Sequence, residues 1–437
     1  MSRSVLERLF DFLDYAHTSW HAVAQMAHHL RQAGYTALDE RAAWALKPGG
    51  RYYTTRDDGA LIAFQLPTGS VKAFRMIGAH TDSPHLRLKP APFITTPHWI
   101  ELGVEVYGGA LLAPWFDRDL GIAGRVLIES PDGQCSTLLV DSQRPVATIP
   151  SLAIHLDREA NKGKALNPQT QMNAIIGSKD KTPTDITMLV EQLLASQGDS
   201  LKGHRIIEFE LGLYDSQPAA QVGLNGEFFA SARLDNLLSC FCGLEALLQC
   251  DGNQAVMFVA NDHEEVGSGS PGGAQGTFLD DVLTRIHAAL GDGSAEGRIR
   301  LIQQSCMISC DNAHGLHPNF ADRHDAAHAP VLNQGPVIKY NANERYATTS
   351  RTAGLFKRLC AQADVPVQVF STRADMGCGS TIGPLTATAL GIATLDVGLP
   401  QWAMHSIRET AGSDDPAWLI RALVAYCNTP DDNLIMG

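Results

Sequence analysis

Six apolar residues, Ala255-Val256-Met257-Phe258-Val259-Ala260, run directly into Asn261-Asp262-His263-Glu264-Glu265-Val266-Gly267-Ser268. A short apolar run rich in β-branched and aromatic side chains, closed by polar residues, predicts a buried strand. A buried strand that delivers two adjacent carboxylates to its C-terminal end narrows the choice of folds, because like charges that close repel unless a cation or a shared proton holds them. Adjacent residues leaving a strand diverge, so one Glu can bind a metal ion while the other works as a base beside it. A solvated acidic loop is the competing reading, and the rest of the chain decides between them.

The flanking sequence predicts a discontinuous α/β domain over residues 1–90 and 230–437, interrupted by a β-rich domain over 91–229. Two amphipathic helices open the chain, with Val5, Leu6, Leu9, Phe10 and Leu13 on one face of the first and Ser19 placed to cap the second. Runs at 61–65 and 71–79 read as strands, and the second ends in His80-Thr81-Asp82-Ser83-Pro84. A two-residue step along an extended chain returns to the same side, so Asp82 is placed to orient the His80 ring as the outer partner of a metal-binding imidazole. Between 91 and 229 short strand patterns are punctuated by turn signals and helical periodicity nearly disappears. Beyond it Asp235 opens an apolar-striped helix, where a simple N-cap is the plainest role for it. An apolar run over 301–309 leads to Asp311, and a strand at 392–397 leads to His405. The glycine-rich 267–276 segment reads as a close-packed turn, since no Lys-Ser/Thr ending makes it a phosphate loop.

With 437 residues, two domains are expected. The formal charge of −13 carries no basic block, which argues against nucleic acid and anionic membranes as partners. No apolar run reaches the length of a membrane span and the amino terminus lacks the apolar centre of a signal peptide, so a cytoplasmic protein is expected. The cysteines number nine, odd and without framework spacing, which suits buried free thiols in a reducing compartment.

In an open α/β sheet the strand C-termini gather at one crevice, so His80, Glu264 with Glu265, Asp311 and His405 can converge there. With Asp235 they form a donor set for two divalent ions, zinc foremost and manganese or cobalt as alternatives, bridged by one carboxylate. A His-Glu-x-x-His zinc site is excluded, because Gly267 stands where its second histidine belongs.

Over nearly its whole length the chain resembles the aspartyl aminopeptidase family of dinuclear metallo-exopeptidases. The resemblance is carried by His80 to Pro84, Trp115-Phe116-Asp117-Arg118-Asp119-Leu120, Leu152-Ala153-Ile154-His155, Asp262 to Ser268, Asp311-Asn312-Ala313-His314 and Met404-His405-Ser406-Ile407-Arg408-Glu409. It implies a mixed-sheet α/β metallo-exopeptidase domain with an inserted β-rich dimerisation domain. It further implies that His80 and Asp311 bind one ion, Glu265 and His405 the other, and that Asp235 bridges them. Glu264 becomes general base and acid, and Asp82 the partner of His80. His155, a surface or core histidine on sequence alone, is implied to reach a neighbouring subunit's site and help hold the oxyanion; a three-histidine zinc site of His80, His155 and His405 is the competing assignment. Lys339, otherwise an ordinary strand lysine, is implied to meet an acidic substrate side chain with Tyr346 nearby. The implied activity is removal of N-terminal Asp or Glu from short peptides, by a homo-oligomer assembled as a dodecamer built from dimers. An aminopeptidase preferring neutral residues, an N-acyl-amino-acid deacylase and a non-catalytic shell are the alternatives.

Overall fold

The computed structural model describes residues 3–163 and 165–434, in a mixed α/β fold. The chain forms two compact units, the first containing the described residues through Asp82, Ala219–Met404 and those from Glu409 onward, the second Ser83–Pro218 with His405–Arg408.

The first unit is built on a nine-stranded sheet. Its four central strands, Ala255–Asn261, Phe74–His80, Cys306–Cys310 and Ala393–Gly398, are neighbours in that order and all parallel. Their side chains alternate between two apolar layers: Ile77, Ala79, Val256 and Phe258 pack on one face, while Phe74, Met76, Met257 and Val259 pack on the other. Strands buried on both faces need an apolar residue at nearly every position, which is why these segments read as unbroken apolar runs. Helices Val5–Tyr15, Ser19–Gln32, Leu234–Gln249, Ser350–Gln362 and Asp415–Cys427 supply the first layer, and Phe278–Leu290, Ala295–Gln304 and Ile382–Leu390 the second. A smaller five-stranded sheet in the same unit joins Phe228–Ser231 to Glu409–Gly412, Pro400–Trp402 and Ala313–His314.

The second unit holds a six-stranded sheet whose strands run antiparallel throughout, in the order Cys135–Asp141, Leu120–Glu129, Arg205–Asp215, His85–Thr95, Trp99–Tyr107 and Ala174–Ser178. It also carries a helix that the turn-rich pattern does not predict: Ile186–Ala195, capped by Asp185, lays Leu189, Val190, Leu193 and Leu194 into this unit's core. That spacing follows one helical face, but the turn signals around it mask the period. The returning segment His405–Arg408 is anchored here by Ile407 in the core and by Arg408, which donates to the carbonyls of Gln217 and Pro218.

Three local expectations are corrected. The second helix is capped by Thr18, whose hydroxyl accepts the His21 N–H, and Ser19 is its first residue. The 301–309 run divides, because Ser294 caps a helix that continues through Gln304 before the strand starts at Cys306. Asp235 is no N-cap: it lies inside Leu234–Gln249 with non-helical torsions, after Arg233 at φ 60°.

Candidate metal centre

Parallel strands put the candidate side chains at one end of the sheet. His80 is the last residue of its strand and pairs in register with Asn261, so the acidic turn begins beside it. That turn is tight: His263, Gly267 and Ser268 all take positive φ, and Glu264–Val266 form one turn of 3-10 helix between them. A non-glycine residue in the left-handed region costs about 1 kcal/mol, so the surroundings hold the turn in place.

The hold comes from Asp82. Its two carboxylate oxygens accept the backbone N–H groups of Glu264 at 3.0 Å and Glu265 at 3.1 Å, while Nδ1 of His80 lies 3.1 Å from the Asp82 backbone carbonyl and 3.3 Å from Oδ1. With Nδ1 engaged, Nε2 of His80 faces Asp235 Oδ1 at 3.5 Å and Glu264 Oε2 at 4.0 Å. Asp235 is set from the other side by Glu409, which accepts its N–H at 2.9 Å. Glu409 also accepts from Gln401 Nε2 at 3.3 Å, and Asn312 Nδ2 donates to Gln401 Oε1 at 2.8 Å and to the Leu234 carbonyl at 2.7 Å. Asn312, Gln401 and Glu409 are buried members of the site's support that received no role from the sequence.

His80, Asp235 and Glu265 each offer a donor atom, and the three atoms lie within 4.8 Å of one another. An imidazole nitrogen with carboxylate oxygens, drawn together in a mostly buried place, is a donor set that suits zinc. The electrostatics agree with a cation being needed. Burial, joined by repulsion from Asp311 and Asp235, pushes the Glu264 carboxyl up to about 7, against the pull of His80. Asp311 is raised to about 6, again chiefly by burial, with Lys339 opposing and Asp235 adding to the shift. For His80 burial works downward, but hydrogen bonds to Asp235 and Asp82 outweigh it and hold the ring well above its ordinary value. Several carboxylates crowded around one imidazole are relieved by a divalent ion. The residues therefore fit the group.

Lys339 is 3 % exposed, with Nζ 3.7 Å from Asp311 Oδ1 and 5.3 Å from the centre of the Tyr346 ring. It is a buried cation rather than the exposed strand lysine that sequence alone allows. Tyr346 also lines a cavity of about 330 Å³ whose walls include Phe370, Met376, Cys378, Trp402 and His314. The remaining two predicted residues belong to the second unit. His405 has φ 68°, its Nδ1 lies 3.2 Å from the Gly109 carbonyl, and its own carbonyl accepts the Leu111 N–H at 3.0 Å. His155 sits in an exposed turn flanked by Leu152, Ile154 and Leu156, all exposed.

The family model described as aminopeptidase I zinc metalloprotease (M18) matches residues 12–426. A probable M18 family aminopeptidase 2 of Stutzerimonas stutzeri (strain A1501) is 52 % identical over 427 residues, covering 97 % of this chain and 98 % of the relative. Among solved structures, Ape4 in its complex with Nbr1 superposes with a TM-score of 0.91 at 36 % identity, over 97 % of this chain and 85 % of the other. The S. cerevisiae mApe1 dodecamer gives a TM-score of 0.85 at 28 % identity, over 97 % and 96 % of the two chains.

Proposed function

We infer what this protein does from the premise that the chain belongs to the M18 family of aminopeptidase I zinc metalloproteases. It is a zinc metallo-aminopeptidase, a hydrolase that removes residues from the amino ends of peptides. The observation that carries the detailed reading is the cluster of His80, Asp235 and Glu265 with Glu264 beside it.

Each subunit would take two divalent ions, zinc with cobalt or manganese as substitutes; His80 and Asp311 would hold one, Glu265 and His405 the other, with Asp235 as the shared carboxylate. When bound, such ions polarise the scissile carbonyl and bring the pKa of water toward neutrality. Glu264 removes a proton from the attacking water and delivers it to the leaving amine, a task suited to a carboxyl poised near 7. Asp82 keeps His80 in the orientation that leaves Nε2 for the ion. His155, from a neighbouring subunit, donates to the oxyanion of the tetrahedral intermediate. The assembly is a homo-oligomer, a dodecamer built from dimers through the inserted β-rich unit, expected over 91–229 and found over Ser83–Pro218, and the similarity to the S. cerevisiae dodecamer supports this reading.

The cavity beside Tyr346 receives the side chain of the substrate's first residue. An acidic side chain is preferred because Lys339 places a cation behind that wall, 5.3 Å from the Tyr346 ring and drawn toward Asp311. The aromatic and thioether surfaces of Phe370, Trp402 and Met376 favour the second reading, a preference for neutral residues. Zinc content and turnover of aspartyl, glutamyl and leucyl anilides, measured on one purified sample, decide between them. Faster cleavage of the acidic anilides supports the first reading, faster leucyl cleavage the second, and zinc-loaded protein that cleaves none overturns both.

A further inference from the structure

Bonded to the segments that carry Tyr346 and Cys378 is a carboxylate with no role so far. Asp396 belongs to the Ala393–Gly398 strand, pairs in register with Ser309, and is fully buried. A buried carboxylate is retained only where its oxygens are satisfied. Oδ2 accepts the backbone N–H of Ala347 at 2.6 Å and Oδ1 accepts the Thr381 hydroxyl at 2.6 Å, while the Asp396 N–H donates to Thr348 Oγ1 at 3.1 Å. Space is reserved for it as well, since a Cβ on Gly383 would lie 2.4 Å from Asp396 Oδ1.

The two segments it grips are the ones that wall the cavity. Ala347 follows Tyr346, and Thr381 follows the Gly377-Cys378-Gly379-Ser380 loop; Tyr346, Gly377, Cys378 and Gly379 all line the cavity. The two segments also meet directly where Tyr346 packs against Cys378, and Ser380 Oγ donates a long bond to the Arg345 carbonyl at 3.4 Å. Both short bonds end on one carboxyl group, so a single side chain outside the cavity lining ties the backbone behind the Tyr346 wall to the segment behind the Cys378 wall.

We propose that Asp396 is a positioning residue for substrate selection, clasping the Tyr346 and Cys378 walls so that the cavity keeps the width suited to one class of first residue. This rests on the reading that the cavity receives that residue's side chain. Loosening the clasp changes which side chain fits and leaves the metal ligands in place.

The test compares aspartyl and leucyl anilides in three variants. Thr381→Val removes, at nearly constant shape, the hydroxyl that donates to Asp396 and weakly caps the Gly383 N–H, and Asp396→Asn replaces one acceptor with a donor. In both, the ratio of kcat/KM between the two anilides shifts by about tenfold, mainly through KM, with the zinc content of the parent retained. An equal fall for both anilides, or a ratio unchanged in Thr381→Val, overturns the proposal; should Asp396→Asn fail to fold, Thr381→Val decides alone. Met376→Trp, which fills the cavity from another wall, separates the two layers of inference. If it leaves the ratio unmoved, the cavity is not the side-chain pocket and both fall; if it moves the ratio while Thr381→Val does not, only the clasp falls.

Discussion

Replacing Asp82 by asparagine asks the sharpest question of the metal centre, because one carboxylate there does three things. It accepts the N–H of Glu264 and of Glu265 on separate oxygens and lies against Nδ1 of His80. Asparagine keeps the shape but offers one acceptor oxygen. In either orientation its amide faces a backbone N–H, donor against donor, and in one of them it also faces the imidazole. One charge-assisted bond is lost and one buried donor is left facing another, which costs about 2 kcal/mol and corresponds to about 30-fold in affinity. The loss falls on the geometry of a proposed ligand (His80) and of the turn carrying another (Glu265), so it is read as metal affinity before it is read as rate. The assay is zinc competition against a chelator of known affinity, followed by anilide hydrolysis at saturating zinc. The expected result is zinc binding weakened by about 30-fold, with part of the rate restored when zinc is supplied in excess. An Asp82→Asn protein that holds zinc as tightly as the parent would refute the role of the Asp82 carboxylate, leaving the Asp82 backbone carbonyl, 3.1 Å from Nδ1, as the group that orients His80.

Three further outcomes follow from the same geometry. Glu264→Ala keeps its metal, measured by elemental analysis, and loses about a hundredfold or more in kcat; a variant within about tenfold of the parent would remove Glu264 from the proton-transfer role. Lys339→Ala lowers the preference for aspartyl and glutamyl over leucyl anilides, and an unaltered ranking would assign the lysine to Asp311 alone. Far from the metal, burial pushes the Asp415 carboxyl up to about 7, although it accepts the backbone N–H groups of Asn333 and Gly335. A carboxyl raised in the folded state contributes fully at pH values below its unfolded pKa near 4 and loses that contribution as pH rises through about 7. Between pH 5 and pH 8 the parent should therefore lose stability relative to Asp415→Asn, by about 3 kcal/mol in denaturant titrations; a difference constant across that range contradicts the shift.

What is legible in the sequence depends on whether a residue's role can be expressed along one strand. His80, Asp82 and the Glu264-Glu265 pair each follow a run whose apolar residues serve both faces of the sheet, so the ends of the strands, and the acids at those ends, stand out in the sequence pattern itself. Asp235 does not, because its position in the site comes from non-helical torsions inside a segment of helical composition, and the bond that fixes its N–H comes from Glu409, distant in sequence. The helix at 295–304 is hidden for a similar reason: Leu301 and Ile302 are its buried turn, and read without Ser294 they merge with the strand beyond. Lys339 and Asp396 mark the limit most clearly. Each is one polar residue within a short apolar strand, a pattern that fits an exposed edge as well as a buried ion. Which of the two holds is decided by partners contributed from elsewhere: Asp311 and Tyr346 for the lysine, Ala347 and Thr381 for the aspartate. Candidate ligands that end strands are thus visible where an unbroken apolar run stops, whereas the residues that hold them and the cavity walls in place become visible only when the partners that satisfy their hydrogen bonds are known.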